Sequence, residues 1–395
     1  MLSGLRIIDA TWVLGGPFAS YLLAQLGAEV IKIEPPSGDL SRAFPPHFFE
    51  GDSAFFLSIN RGKKSVVLDL KHALGRTAFY DLVRNADAVL YGFAPDVPTK
   101  LGIDFASLHE VNPRLCVGEL IGFHDQEEYA NKPSFDIIAQ AMGGFMDLTG
   151  ETNGKPVRGG YQVADLSAGL YLALALLAAV FETRATGIGK KVQTTLLDCQ
   201  LALLTWQAQN YFVTGEVPRA SGSRHATLAP SEAFACADDK YIVVSASTQA
   251  HWKPLCAVIG RPDLEHDPRF ATAAARIVNV EALAQTLAEV FRTRPAAHWI
   301  KCISEAGVPV GPVNNVAEAL TQPLAGLRGM VEQMAHPVSG TELKFVGNPI
   351  KFDGSKVLPY PPALGAHTRL VLSEMCGYDE TRIAELERAG VLQEK

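Results

Sequence analysis

The opening stretch of the chain confines it to one fold class. Leu5 to Ala10 (LRIIDA) is a run rich in branched aliphatics, the composition of a buried strand. Gly15-Gly16-Pro17 then opens a helix, with Pro17 at a position where its missing N–H costs nothing. Gly27 ends that helix, and Ala28 to Glu34 (AEVIKIE) reads as a second strand. Strand, helix and strand in this succession close as a right-handed crossover between parallel strands. The expected class is therefore α/β, built on a parallel sheet.

The alternation continues. Ser65 to Leu70 (SVVLDL), Ala88 to Tyr91 and Leu115 to Ile121 read as strands. Helices are expected at Ala73 to Asn85, 135–147 and 166–185. After Thr214 the composition shifts, and Gly215 to Pro230 reads as a linker or active-site loop. A strand pair within 231–247 and helices at 249–259, 280–293 and 295–306 then predict a smaller α+β domain. Pro309 to Pro312 reads as the return crossing, before two closing helices near 367–376 and 379–389. The expected organisation is a discontinuous large domain (1–214 with 310–395) and a linker with small domain (215–309).

Bulk composition narrows the partners. The 395 residues are 48% hydrophobic and 19% charged, which suits a folded globular chain. A net charge of −7 without a basic tail argues against nucleic acid or an anionic membrane as partner. The six cysteines are scattered without a C-x-x-C pair, as in a reduced intracellular protein with no zinc site. The N-terminus lacks the pattern of a secretory leader. The longest apolar stretch, Ala168 to Phe181, is short for a bilayer, so a core helix and a cytoplasmic protein are expected.

Asp165 is the most informative candidate. It stands at the doorway of the apolar run LYLALALLAAVF, beside the unpaired amides and positive end of a helix, a setting expected to keep it ionised. Such a carboxylate is either a helix cap or a nucleophile. Small residues on both sides (Gly159, Gly160, Ser167, Gly169) leave space beside it, as a substrate requires. A dinucleotide site is not supported: Glu34 follows Gly15 at a suitable distance, but G-x-G-x-x-G is absent. Arg61, Lys63 and Lys64 form a basic cluster before a strand, a solvated loop or a phosphate site. With Lys71 and Lys100 on other loops, they modestly favour a polyanionic ligand such as a nucleotide or coenzyme A. His124 and His225 read as surface histidines, and no H-E-x-x-H metal motif occurs.

Five ordered blocks extend this reading. LRIIDATWVLGGPFASYLLAQLGAEVIKIEPPSGD, INRGKKSVVLDLK, the long segment from Pro133 to Asp198, GVPVGPVNNVAEAL and LGAHTRLVLSEMCGYDETRIAELERAGV together resemble the class III (CaiB–BaiF type) CoA-transferases. The resemblance spans about residues 3 to 392. It implies a Rossmann-like large domain, a small middle domain and an interlocked homodimer. It also implies that Asp165 is the catalytic aspartate, with Asp136 beside the reacting carboxylate. Coenzyme A contacts are implied at Val13, Leu14, Leu68, Lys71, Phe93, Lys100 and Lys132, with a phosphate role for Arg61. The implied reaction moves CoA from an acyl-CoA to a small carboxylic acid through a covalent aspartyl intermediate, without metal. Backbone amides of Gly159-Gly160 or of the helix start would stabilise the oxyanion, and Arg224 and His225 are candidates for the acceptor carboxylate.

Departures from the family pattern refine this. Gly92-Phe93-Ala94-Pro95-Asp96 lacks an arginine that many members carry, and Leu14 stands where formyl-CoA transferase-like members have glutamine. Formyl-CoA:oxalate specificity is therefore not expected. The α-methylacyl-CoA racemases of the family carry a histidine where this chain has Phe135, which cannot move a proton. A racemase-like isomerase and a non-catalytic CoA-binding homologue remain the alternative readings.

Overall fold

The computed structural model describes residues 1–124, 127–130 and 132–392. They form two compact units. The first comprises Met1–Met146, Arg158–Gly215 and the chain from Leu327 onward; the second comprises Asp147–Val157 and Glu216–Gly326.

The first unit is built on a six-stranded sheet of β1 (Arg6–Ala10), β2 (Glu29–Glu34), β3 (Lys63–Val67), β4 (Ala88–Tyr91), β5 (Cys116–Ile121) and β6 (Lys191–Thr195). The spatial order is β3-β2-β1-β4-β5-β6, and every neighbouring pair is parallel. The order reverses between β1 and β4, the place where doubly wound sheets open a crevice beyond the carboxyl ends of their strands. Helices cover both faces, so the central strands are apolar on both sides. Ile7 joins a cluster with Leu23 of α1 (Gly15–Gln25) on one face. Ile8 faces the other cluster, with Phe79 and Leu82 of α2 (Ala73–Arg84).

Helix α3 (Asp136–Met142) precedes the long α4 (Val163–Thr186), which ends at Gly187 with φ 78°, a left-handed cap that favours glycine. Leu172 and Leu176 of α4 pack into the cluster beneath β1 and β4. At 24 residues the helix outgrows the apolar run seen in the sequence, because turns at both ends continue it. It is long and apolar enough to cross a membrane by length and composition, though half of its most apolar window is buried. The expectation that this segment is too short is thereby corrected. Its glycine matters too: a Cβ on Gly169 would lie 2.5 Å from the carbonyl oxygen of Gly15, so α4 and α1 touch backbone to backbone there.

Strand β6 had no clear signal. Its sequence, KVQTT, is polar, and it closes one edge of the sheet, where Lys191 pairs with Glu119 of β5 at 2.6 Å. Two helices follow it, α5 (Leu196–Leu203) and α6 (Thr205–Thr214). Strand β3 begins at Lys63 and not at Ser65, because Lys63 and Arg61 before it are buried instead of solvated.

The second unit carries an antiparallel sheet of β7 (Ser231–Ala235), β8 (Tyr241–Ser245) and β9 (Val310–Pro312), in the order β9-β8-β7. Trp252, Leu287 and Trp299, from three helices, fill its core with Ile242 and Val244. The segment expected as a return crossing is thus a sheet strand, paired as Val243 to Gly311.

Candidate active site

A cavity of about 440 Å³ opens at the reversal of strand order. Its lining comes from the loops that leave the carboxyl ends of β1 (Thr11 to Gly16), β4 (Gly92 to Pro95) and β5 (Gly122 to His124), joined by 132–136 and Asp165. A second cavity of about 390 Å³ shares Trp12 and Phe93 with it and is lined by Leu68, Asp69 and Lys71 after β3. Trp12 and Phe93 meet edge to face with centroids 5.9 Å apart. They form an aromatic wall common to both spaces.

Asp165 lies in the first turn of α4, but the residue at the cap position is Gln162, and its side chain makes no capping bond. The amides at the start of the helix are taken instead by Asp136. Its Oδ1 accepts from Ala164 N–H at 2.9 Å and from Asp165 N–H at 3.3 Å. Its Oδ2 accepts from Gln140 Nε2 at 2.6 Å, and Gln140 Oε1 accepts from Gly159 N–H at 2.9 Å. One buried carboxylate therefore caps α4 from outside and ties down the glycine loop before it. Because the Gly159 amide is used in this chain, it is not free to bind an oxyanion.

The consequence for Asp165 reverses the expectation drawn from its helix. Burial, and then the like charge of Asp136, push its carboxyl up from the ordinary 3.8 to about 7. Among the described residues no donor hydrogen-bonds to its carboxylate. What the helix terminus would have supplied goes to Asp136. Gly15 stands close on the other side: a Cβ there would sit 3.4 Å from Asp165 Oδ1 and 2.7 Å from a Leu120 methyl. A side chain at Gly15 would press on the Leu120 methyl and lie against the Asp165 carbonyl and carboxylate, so glycine keeps the start of α1 close to Asp165.

The other sequence candidates divide. Val13, Leu14, Phe93, Lys132, Asp136 and Asp165 line the larger cavity, and Leu68, Lys71 and Phe93 the smaller. Lys132 also lies over the Tyr129 ring, 4.3 Å from its centroid. Lys100 is exposed, paired with Asp96, and lines neither space. The basic cluster is not presented to the cleft. Arg61 is buried, 2.5 Å from Glu332 and over the Phe345 ring. Lys63 is buried against Asp9 at 3.0 Å, and Lys64 pairs with Glu29 at 2.7 Å. The phosphate role implied for Arg61 does not fit this placement: its guanidinium is buried, is neutralised by Glu332 inside the fold and lines neither cavity. Arg224 is likewise engaged, by Glu281 at 2.6 Å and Glu232 at 3.3 Å, which leaves its guanidinium committed to its own unit.

Sequence reading missed Trp12, Gln140 and the lining role of His124. Trp12 carried a usable signal, since it follows a strand whose carboxyl end faces the crevice; Gln140 carried none. Phe135 lines the cavity and is 71% exposed, so the position before Asp136 offers the site a ring and no proton carrier. Among the described residues no group of three or more His, Cys, Asp or Glu side chains is placed to hold a metal ion.

Comparison with known proteins agrees with this architecture. The profile described as CoA-transferase family III matches residues 2–368, and the chain belongs to that family. It is 38% identical over 354 residues to the acetyl-CoA:oxalate CoA-transferase of Acetobacter aceti, covering 89% of each protein. It is 33% identical to the human succinyl-CoA:glutarate CoA-transferase, covering all of this chain and 90% of that one. A crystal structure of a CAIB/BAIF family protein from Brucella suis superposes with a TM-score of 0.85 at 33% identity, covering 95% of this chain and 99% of the other. The chain is accordingly a family III CoA-transferase, with CoA thioesters as substrates.

Proposed function

We propose that the chain transfers CoA from an acyl-CoA to a dicarboxylic acid through covalent intermediates on Asp165. The observation that carries this is a carboxylate with no hydrogen-bond donor among the described residues, at the wall of a 440 Å³ cleft. Such a group is under-solvated and therefore nucleophilic once ionised. An Asp165 oxygen attacks the thioester carbonyl, and the CoA thiolate leaves, giving a mixed anhydride. The thiolate then attacks the aspartyl carbonyl, releasing the first acid as carboxylate and leaving an aspartyl-CoA thioester. The acceptor carboxylate attacks this thioester and expels the thiolate again. Return of the thiolate to the acceptor's carbonyl frees Asp165. Thioester energy is conserved throughout.

The start of α1 at Gly15, close to the carboxylate, suits the oxyanion, whereas the Gly159 amide is already engaged. The dicarboxylate class is supported by the names of the relatives, which act on oxalate and glutarate. Racemisation is disfavoured, because this chain has Phe135 where the second base would stand. A second copy of the chain as partner is supported by α6, which has no buried residue and exposes Phe212 and Val213, and by Leu174 and Phe181 of α4; light scattering reads the mass. A reduced, cytoplasmic setting is supported by six unpaired cysteines.

The test is exchange of labelled dicarboxylate into acyl-CoA, with hydroxylamine added to trap the thioester as a hydroxamate at Asp165. Asp165→Ala must abolish both. Exchange retained at the wild-type rate refutes the assignment.

A further inference from the structure

Five ionisable side chains lie buried beside the cleft without a part in this chemistry: Asp9, Lys32, Glu34, Asp39 and Lys63. They connect to one loop, Thr11 to Leu14, which forms a wall of the cleft and leads into Gly15. Asp9 fixes the loop's start by accepting from Thr11 N–H at 3.0 Å. Lys63 joins Asp9 to the first turn of α1, donating to Asp9 at 3.0 Å and to the Pro17 carbonyl at 2.8 Å. Ser20 of α1 closes this side by donating to Asp9 at 2.5 Å. Lys32 donates to the Thr11 carbonyl at 2.9 Å and pairs with Asp39 at 2.8 Å. Asp39 then reaches the middle of the loop, its Oδ1 accepting from Val13 N–H at 3.3 Å and from Ser41 at 2.8 Å.

Val13 is the point of strain. Its φ is 68°, a left-handed conformation that a β-branched residue rarely adopts. Strain of this kind persists only where the surroundings over-determine it. Both ends of the loop are anchored by Asp9, Lys63 and Lys32, and the strained residue itself is gripped by Asp39. Glu34 holds Asp39 in turn, accepting its N–H at 3.0 Å. Burial works against the charge on Asp39, but Lys32 and the Ser41 donors hold its carboxyl below the usual range.

We propose that Asp39, paired with Lys32, is a positioning residue of the acyl-CoA site, which acts by holding Val13 in its left-handed conformation. It touches no substrate. The inference rests on the reading of this cleft as the acyl-CoA site. It assigns a task to an ion pair that packing alone would not require, since buried pairs rarely stabilise a fold more than apolar side chains do.

A double-mutant cycle of Asp39→Ala and Val13→Gly tests it, read by KM for acyl-CoA and by calorimetric affinity for CoA. Glycine adopts a positive φ without penalty, so it removes the need for a grip. In the parent chain, Asp39→Ala should raise KM about tenfold while kcat falls less than about threefold. In the Val13→Gly background the same substitution should raise KM less than about threefold. Equal penalties in both backgrounds, or an unchanged KM in folded Asp39→Ala, overturn the proposal. Where alanine lowers the melting temperature too far to assay, Asp39→Asn is put through the same cycle, and equal penalties again refute it. If the parent chain binds no CoA, it is the reading of the cleft that fails; if it binds and Asp39→Ala binds equally well, only the role of Asp39 fails.

Discussion

Asp165→Asn should stabilise the protein, and the gain should grow with pH. In the unfolded chain the carboxyl titrates near its ordinary 3.8, whereas in the folded protein it titrates near 7. The folded state therefore holds a proton that the unfolded state has lost, and stability contributed by this group falls as pH rises from 3.8 to 7, then levels off. Asparagine carries no such penalty. With about 1.4 kcal/mol per pH unit, the gain from the substitution is roughly 1.6 kcal/mol at about pH 5 and roughly 4 kcal/mol at about pH 8.5. Below the unfolded value it vanishes. A chain of 395 residues unfolds with an entropy of about 0.8 kcal/mol/K, so the melting temperature should rise about 2 °C at the lower pH and about 5 °C at the higher. Paired thermal melts of parent and variant at the two pH values read the difference directly. A gain that is the same at both, or a loss at the higher pH, would refute a burial-raised carboxyl and with it the account of Asp136 as the group that takes the helix amides.

Three further outcomes are expected. The kcat/KM for acyl-CoA should rise with pH through an inflection near 7, since attack needs the ionised Asp165, and Asp136→Asn should move the inflection downward by removing a like charge; an unshifted pH profile counts against this. Gly169→Ala should lower the melting temperature, because its Cβ would meet Gly15 O at 2.5 Å, with overpacking costing about 1–3 kcal/mol, whereas Gly160→Ala, with open space around it, should leave the melting temperature unchanged. Gln140→Leu should cost about 1–3 kcal/mol in denaturant unfolding by leaving the Gly159 amide and Asp136 Oδ2 without their partner; a midpoint equal to the parent's would dissolve the proposed link.

Local signals wrote most of the large unit into the sequence. Branched-aliphatic runs at Ile7-Ile8 and Val30-Ile31, broken by Gly27, specify buried strands and a crossover helix because periodicity and turn chemistry act over a few residues. The polar edge strand Lys191–Thr195 escaped, since an edge needs no apolar pattern to pair with its one neighbour. Arg61, Lys63 and Lys64 misled for a related reason: charge in a sequence reads as solvation, and only the fold brings Glu332, Asp9 and Glu29 to neutralise it.

The sequence by itself determined the parallel α/β sheet, the family and the singling out of Asp165. Tertiary structure decided that residue's electrostatic state. A helix start, taken alone, favours an ionised carboxylate. Asp136, 29 positions earlier in the chain, occupies the very amides that would have done so and adds its own charge. Which of two carboxylates receives the helix's donors depends on positions in space, and spacing along the chain does not encode it.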